Sequence, residues 1–135
     1  MSARKSKKIN LCELFKIPPW FWGFRLVKGQ IVVPACSPPE DRFLMRLGRL
    51  HEEAHRELGH QKCPEVLEGV WQEVEAWKLA ISGLPEQEQA RAIEMAEKCI
   101  GTYNFHAEVT YGVWVDRTAI HQALEEARAI RKGLR

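Results

Sequence analysis

Apolar residues recur every three or four positions between residues 39 and 59, which is the repeat of an amphipathic helix. The repeating residues are Phe43, Leu47, Leu50, Ala54 and Leu58. A proline and acidic residues at the start of this segment, and Gly59 at its end, are typical of helix boundaries. The spacing therefore predicts a helix that begins near residues 39–41, ends at Gly59 and turns one side toward a core.

The segments on either side predict a hairpin before this helix and further helices after it. Lys28 and Gly29 separate two β-prone runs, 24–27 and 30–33, in the manner of a two-residue hairpin turn. The same criteria predict helices at about 64–82, 86–100 and 116–132, and an irregular stretch at 101–115 with a short strand at 106–109. This order predicts an α+β fold in which helix dominates and the hairpin packs beside the first long helix.

Length and charge limit the classes of protein that this chain can belong to. The 135 residues are enough for one domain. The net charge of +2 does not favour binding to nucleic acid or to an anionic membrane. Basic residues gather at the two ends, and we interpret residues 1–10 as a flexible tail and 11–135 as a single domain.

Three further observations bear on the location of the chain. No run approaches the roughly 18 apolar residues of a membrane helix. The first residues lack the continuous apolar stretch and the cleavage site of a signal peptide. The cysteines contain no C-x-x-C pair and are interpreted as reduced thiols; they are Cys12, Cys36, Cys63 and Cys99. We therefore expect a cytoplasmic protein that does not contact membranes.

The amphipathic helix contains the segment His51-Glu52-Glu53-Ala54-His55. Histidines four residues apart project from the same side of a helix and can bind one metal ion together. A carboxylate at Glu52 can accept a proton from water on that metal without being a ligand itself. A random chain of this composition contains such a motif with a probability of roughly 2%. The position of the motif on a predicted amphipathic helix further supports its interpretation as a metal site. The segment predicts a zinc site with His51 and His55 as ligands and Glu52 as the general base.

Several residues qualify as a third ligand. His60 follows His55 by five residues, which is one short of the spacing in metzincins. Glu73 and Glu75 lie on the next predicted helix, and Glu75 follows His55 by 20 residues. Helical periodicity favours Glu73, which lies beside a stripe of small residues, but it leaves the choice open. Cys63 is a further candidate close to the histidines.

Two stretches of the chain resemble the ImmA/IrrE family of metallo-endopeptidases. Residues 51–60, with the sequence H-E-E-A-H-R-E-L-G-H, are similar to the family's active helix, H-E-L-G-H-x-x-L-G-H. Residues 73–80, E-V-E-A-W-K-L-A, and the Leu-Pro pair at 84–85 are similar to its E-x-E-A-x-x-F-A…L-M-P segment. The run at 30–33 also lies where that family has the strand before the active helix. The resemblance covers about residues 24–85.

The resemblance carries expectations for fold, cofactor and ligands. It implies a small, helix-rich zincin of the gluzincin type that binds one Zn²⁺ ion. The second glutamate of the family's E-x-E-A motif is the metal ligand, which implies Glu75 here. Three departures concern this second helix: Leu79 replaces the family's aromatic residue, the proline is one residue closer, and the loop between the two helices is short.

The resemblance also implies a function, an intracellular zinc endopeptidase that cleaves a protein or peptide, for example a transcriptional regulator. The substrate would pair with the edge strand at 30–33, and direct contact with nucleic acid is not expected. Two alternatives stay open, a non-catalytic zinc-binding interaction module and a metal-free helical regulator with basic ends. A peptidase also needs a donor for the developing oxyanion. The candidates are Tyr103, His106, Tyr111 and His121.

Overall fold

A computed structural model describes residues 10–34, 41–61 and 65–133. In chain order these residues form α1 (Leu11–Phe15), a 3₁₀ helix (Pro19–Gly23), β1 (Arg25–Val27), β2 (Gln30–Val32), α2 (Arg42–Leu58), α3 (Val66–Ser82), α4 (Glu86–Tyr111) and α5 (Arg117–Gly133). The predicted helix-rich α+β pattern is confirmed. Among these residues, no helix has both the length and the apolar character that crossing a membrane requires.

Some of the sequence-based predictions lie outside the described residues. They concern the basic tail up to residue 9, the beginning of the amphipathic helix at 39–40, and the cysteines Cys36 and Cys63.

Helix α3 lies at the centre of the helical part, because it packs against α2, α4 and α5. Each of these four helices contributes a large side chain that is fully buried; these are Leu47, Trp77, Ile100 and Leu124. Full burial of one such side chain stabilises the fold by about 1.5–3 kcal/mol. The central position of α3 means that polar groups on its α2 side are removed from solvent.

The hairpin lies beside α2, as predicted. Its turn consists of Lys28 (φ 49°) and Gly29 (φ 76°), and two residues with positive φ match the twist of the flanking strands. Strand β1 pairs antiparallel with β2, with Val27 opposite Gln30. Both strands contact α2, and Arg56 Nη1 donates a hydrogen bond to the Gly29 carbonyl oxygen at 3.3 Å. The hairpin is thereby held along the side of the helix that carries the histidine motif.

Helix α4 extends to Tyr111, so the predicted helix end at residue 100 and the predicted strand at 106–109 are wrong. Gly101 lies inside the helix, where a Cβ atom would come within 2.8 Å of the Phe15 ring. The glycine therefore makes room for α1 and does not end the helix. The side chain of Asn104 bonds to both the N–H and the C=O of Val115, which fixes the connection to α5.

Gly48 allows the closest approach between α2 and the segment that precedes the hairpin. A Cβ atom at this position would lie 2.3 Å from a ring carbon of Phe24. Alanine normally favours a helix over glycine by about 1 kcal/mol, but the overlap should cost about 1–3 kcal/mol. We expect Gly48→Ala to lower the free energy of unfolding, measured by urea denaturation.

Gly69 provides the matched control, because it also lies inside a helix but a Cβ atom added there would meet no neighbouring group within 4 Å. Gly69→Ala should raise the free energy of unfolding by up to about 1 kcal/mol. Equal effects of the two substitutions would contradict the close packing of Phe24 on α2.

Candidate metal centre

His51 and His55 on α2 meet Glu73 on α3. The Nε2 atoms of the two histidines lie 3.1 Å apart. Glu73 Oε1 lies 3.1 Å from His51 Nε2, and its Oε2 lies 2.9 Å from His55 Nε2. One ligand atom from each residue can be chosen so that all lie within 4.8 Å of one another. The three side chains are therefore positioned to bind one metal ion.

Local structure explains this convergence. The two histidines are four residues apart on α2 and project from the same side of it. Trp77 follows Glu73 by one turn of α3, and its indole stacks on the His51 ring with centroids 4.1 Å apart and an angle of 15°. The same side of α3 thus supplies both a carboxylate for the histidines and a flat surface that fixes one ring.

Hydrogen bonds decide the charge state of the carboxylate. Burial alone would raise the pKa of Glu73, but its hydrogen bonds with His51 and His55, together with the charges of these two rings, outweigh burial and lower the pKa to about 2. Burial lowers the pKa of His55, yet the hydrogen bond and charge of Glu73 leave it raised overall. The site therefore contains an ionised carboxylate beside two imidazole rings, and His55 Nε2 would have to be free of its proton for a metal ion to bind there.

Glu52 is a second buried carboxylate at this place. Only 8% of its surface is exposed, and its Oε1 lies 3.8 Å from His51 Nδ1. Burial raises the pKa of Glu52, the charge of Glu73 adds to this effect, and His51 and His55 act against it. A carboxylate with a raised pKa is suited to accept a proton near neutral pH.

The site opens into a pocket of about 350 Å³. The lining includes His51, His55, Glu52 and Glu73, together with residues 24–26 at β1 and Tyr103 on α4. Tyr103 is the one candidate oxyanion donor among these lining residues. His106 lies against Tyr111 on a different part of α4, and His121 pairs with Glu97 between α4 and α5.

Glu75, the third ligand implied by the resemblance, does not reach the histidine pair. Its side chain is 60% exposed, and its carboxylate lies 3.3 Å from His60 Nε2. Residues two apart on a helix differ by about 200° in direction, so Glu73 and Glu75 cannot face the same partner. The structure thus groups Glu73, the residue that helical periodicity favours, with the two histidines, and it places Glu75 beside His60.

His60 contacts His55 but is not part of the group formed by His51, His55 and Glu73. Its Nδ1 lies 2.9 Å from His55 Nδ1, on the side of that ring away from Glu73. The sequence interpretation did not identify the part played by Trp77. Its spacing of four residues from Glu73 was the signal that could have placed it beside the site.

No protein-family model, curated protein or solved structure matches this chain. The resemblance to the ImmA/IrrE family therefore depends on the motif residues, and the metal centre depends on its own geometry.

Substitutions can test the ligand set directly. We expect His51→Ala, His55→Ala and Glu73→Ala each to weaken Zn²⁺ binding by more than about 100-fold, which exceeds the usual 10–100-fold effect of residues that only support a ligand. Glu75→Ala should have a smaller effect, because its carboxylate does not reach the ligand atoms. The measurement is titration of metal-free protein against a chelator of known affinity. A larger loss in Glu75→Ala than in Glu73→Ala would contradict the assignment.

Proposed function

We propose that this chain is a zinc-dependent endopeptidase that cleaves a peptide bond in a cytoplasmic protein partner. The observation that supports this proposal most strongly is the burial of Glu52 beside the group formed by His51, His55 and Glu73. Two imidazoles and one carboxylate are a donor set that suits Zn²⁺ and leaves a coordination position open. Zn²⁺ at such a site lowers the pKa of a water molecule and polarises a substrate carbonyl.

Glu52 is the residue that we assign to proton transfer. Its carboxylate neighbours the ligands but is not one of the three converging groups. Its raised pKa means that it can accept a proton from the attacking water and still release it. In the proposed reaction the proton moves to a Glu52 carboxylate oxygen and then to the amine nitrogen that leaves.

Tyr103 supports the proposal as a donor to the developing oxyanion. It shares the pocket with Glu52 and both histidines. Although 42% of Tyr103 is exposed, partial removal of its hydroxyl group from water raises the pKa of that group, and the charge of Glu73 adds to this effect. The hydroxyl therefore keeps its proton at neutral pH, which a hydrogen-bond donor to an oxyanion requires.

The substrate is proposed to bind along β1, because residues 24–26 line the pocket and β2 does not. The proposed binding strand is therefore β1 and not the strand at 30–33, which the sequence analysis proposed. In a two-residue hairpin Val27 and Gln30 exchange the first pair of hydrogen bonds, so the N–H and C=O of Leu26 point away from β2. An extended peptide can pair with these groups. A transcriptional regulator, as the resemblance implies, is one partner of this kind.

Glu52→Gln tests the proposed chemistry. The substitution keeps the shape of the side chain but removes its basic carboxylate, so Zn²⁺ binding should persist while cleavage falls about 10²–10⁴-fold. Glu53→Gln is the matched control, because Glu53 is the neighbouring residue and is exposed. The assay co-expresses each form with the proteins encoded by neighbouring genes and detects fragments of the partner by mass spectrometry.

Fragments should appear with the parent protein and with Glu53→Gln and should disappear with Glu52→Gln. Fragments that persist in Glu52→Gln would exclude Glu52 as the base. A biological effect that survives in this variant without fragments would favour the alternative, a zinc-binding interaction module that does not cleave its partner.

A further inference from the structure

We infer that His60 and Glu75 are positioning residues that hold the His55 ring for the metal ion through a chain of hydrogen bonds. The contacts run from Glu75 Oε2 to His60 Nε2 at 3.3 Å, and from His60 Nδ1 to His55 Nδ1 at 2.9 Å. This inference rests on the metal site of the proposed function but not on cleavage.

The end of α2 brings His60 back to His55. Gly59 adopts the left-handed conformation (φ 68°, ψ 29°), which reverses the direction of the chain. The N–H of His60 then bonds to the His55 carbonyl at 3.1 Å, and the N–H of Gly59 bonds to the Arg56 carbonyl at 3.2 Å. This pair of bonds is the Schellman motif. It places the two imidazole rings edge to face, with centroids 5.1 Å apart.

The contacts agree with one arrangement of protons. Without a metal ion, His55 Nε2 donates to Glu73 at 2.9 Å. In the Zn²⁺-loaded protein Nε2 must instead offer its lone pair to the metal ion, so a neutral His55 ring then carries its proton on Nδ1. That N–H donates to the lone pair of His60 Nδ1. His60 then carries its own proton on Nε2, which donates to the Glu75 carboxylate. Each ring has one proton and each proton has an acceptor.

This arrangement explains why His60 supports a ligand and does not act as one. Both of its ring nitrogens are engaged, one by His55 and the other by Glu75. Histidine ligands in metal sites regularly donate their second N–H to an outer acceptor, which fixes the tautomer and the ring orientation. Here the acceptor is another histidine, and Glu75 fixes that histidine in turn.

The two supporting residues should differ in strength. The side chain of His60 is 11% exposed, whereas that of Glu75 is 60% exposed. Water can replace Glu75 as the acceptor for His60 more easily than it can replace His60 as the acceptor for His55. We therefore expect substitution of His60 to weaken Zn²⁺ binding more than substitution of Glu75.

Zn²⁺ affinity in single and double variants tests this order. His60→Ala should weaken binding about 10–100-fold, and Glu75→Ala should weaken it less. The double variant should bind no more weakly than His60→Ala, because Glu75 acts only through His60. Glu57→Ala, which removes an exposed carboxylate from α2, controls for the change in net charge and should leave affinity unchanged.

His60→Gln is the conservative variant, because its amide can accept from His55 and donate to Glu75. It should recover a large part of the lost affinity. A second readout is the exchange of the His55 Nδ1 proton with solvent, followed by NMR in the Zn²⁺-loaded protein. Exchange should be slow in the parent and fast in His60→Ala, and circular dichroism checks that each variant is folded.

Several results would overturn the inference. Additive losses in the double variant would show that Glu75 acts independently of His60. An unchanged affinity and proton exchange in His60→Ala would exclude the supporting role, even in a protein that binds Zn²⁺ and cleaves its partner. A loss in His60→Ala as large as that in His51→Ala would make His60 a ligand. Failure of the parent protein to bind Zn²⁺ would remove both this inference and the proposed function.

Discussion

The buried carboxylate of Glu73, held between two histidines, is the interaction on which the rest of the structure depends. An ionised carboxylate that is removed from water without a partner costs several kcal/mol. Glu73 meets this cost through His51 and His55, which lie on a different helix. The packing of α2 on α3 is therefore fixed by polar groups as well as by apolar ones, and any relative shift of the two helices would leave a buried charge unpaired.

The other elements hold this pair of helices in place. Trp77 belongs to the apolar core and also stacks on His51, so it joins the core to the site. Helices α4 and α5 cover further sides of α3, and α4 brings Tyr103 to the pocket. On α2, the missing side chain of Gly48 lets Phe24 approach closely and places β1 at the edge of the same pocket. The pocket is thus bordered by rigid elements, which favours fixed positions for its side chains.

Much of the architecture could be predicted from periodicity and turn chemistry. The apolar repeat before Gly59 is long and regular, and the Lys28-Gly29 pair is a strong turn signal, so α2 and the hairpin were both predicted. The length of α4 was not predictable in this way. Gly101 ends a helical pattern in the sequence, but its role is to contact Phe15, and such a packing role depends on a residue far away in the chain.

In the site, too, local sequence predicts some features, whereas others depend on contacts between distant parts of the chain. His51, Glu52 and His55 lie on one helix, and their relation follows from the spacing of residues alone. The partner carboxylate comes from a second helix, whose rotation depends on how it packs. The resemblance implied Glu75, whereas the burial of Trp77 and Val74 turns Glu73 toward the histidines. The sequence identified Gly59 as the helix end and His60 as a candidate ligand. The contact of His60 with His55 could be recognised only in the three-dimensional structure.

The most direct test of the account is a crystal structure of the protein with Zn²⁺, with anomalous scattering recorded on both sides of the zinc absorption edge. The account predicts one anomalous peak per chain, at about 2.0–2.2 Å from Nε2 of His51, Nε2 of His55 and a carboxylate oxygen of Glu73. A peak bound instead by Glu75 or His60, or a fully occupied peak away from these three residues, would contradict it.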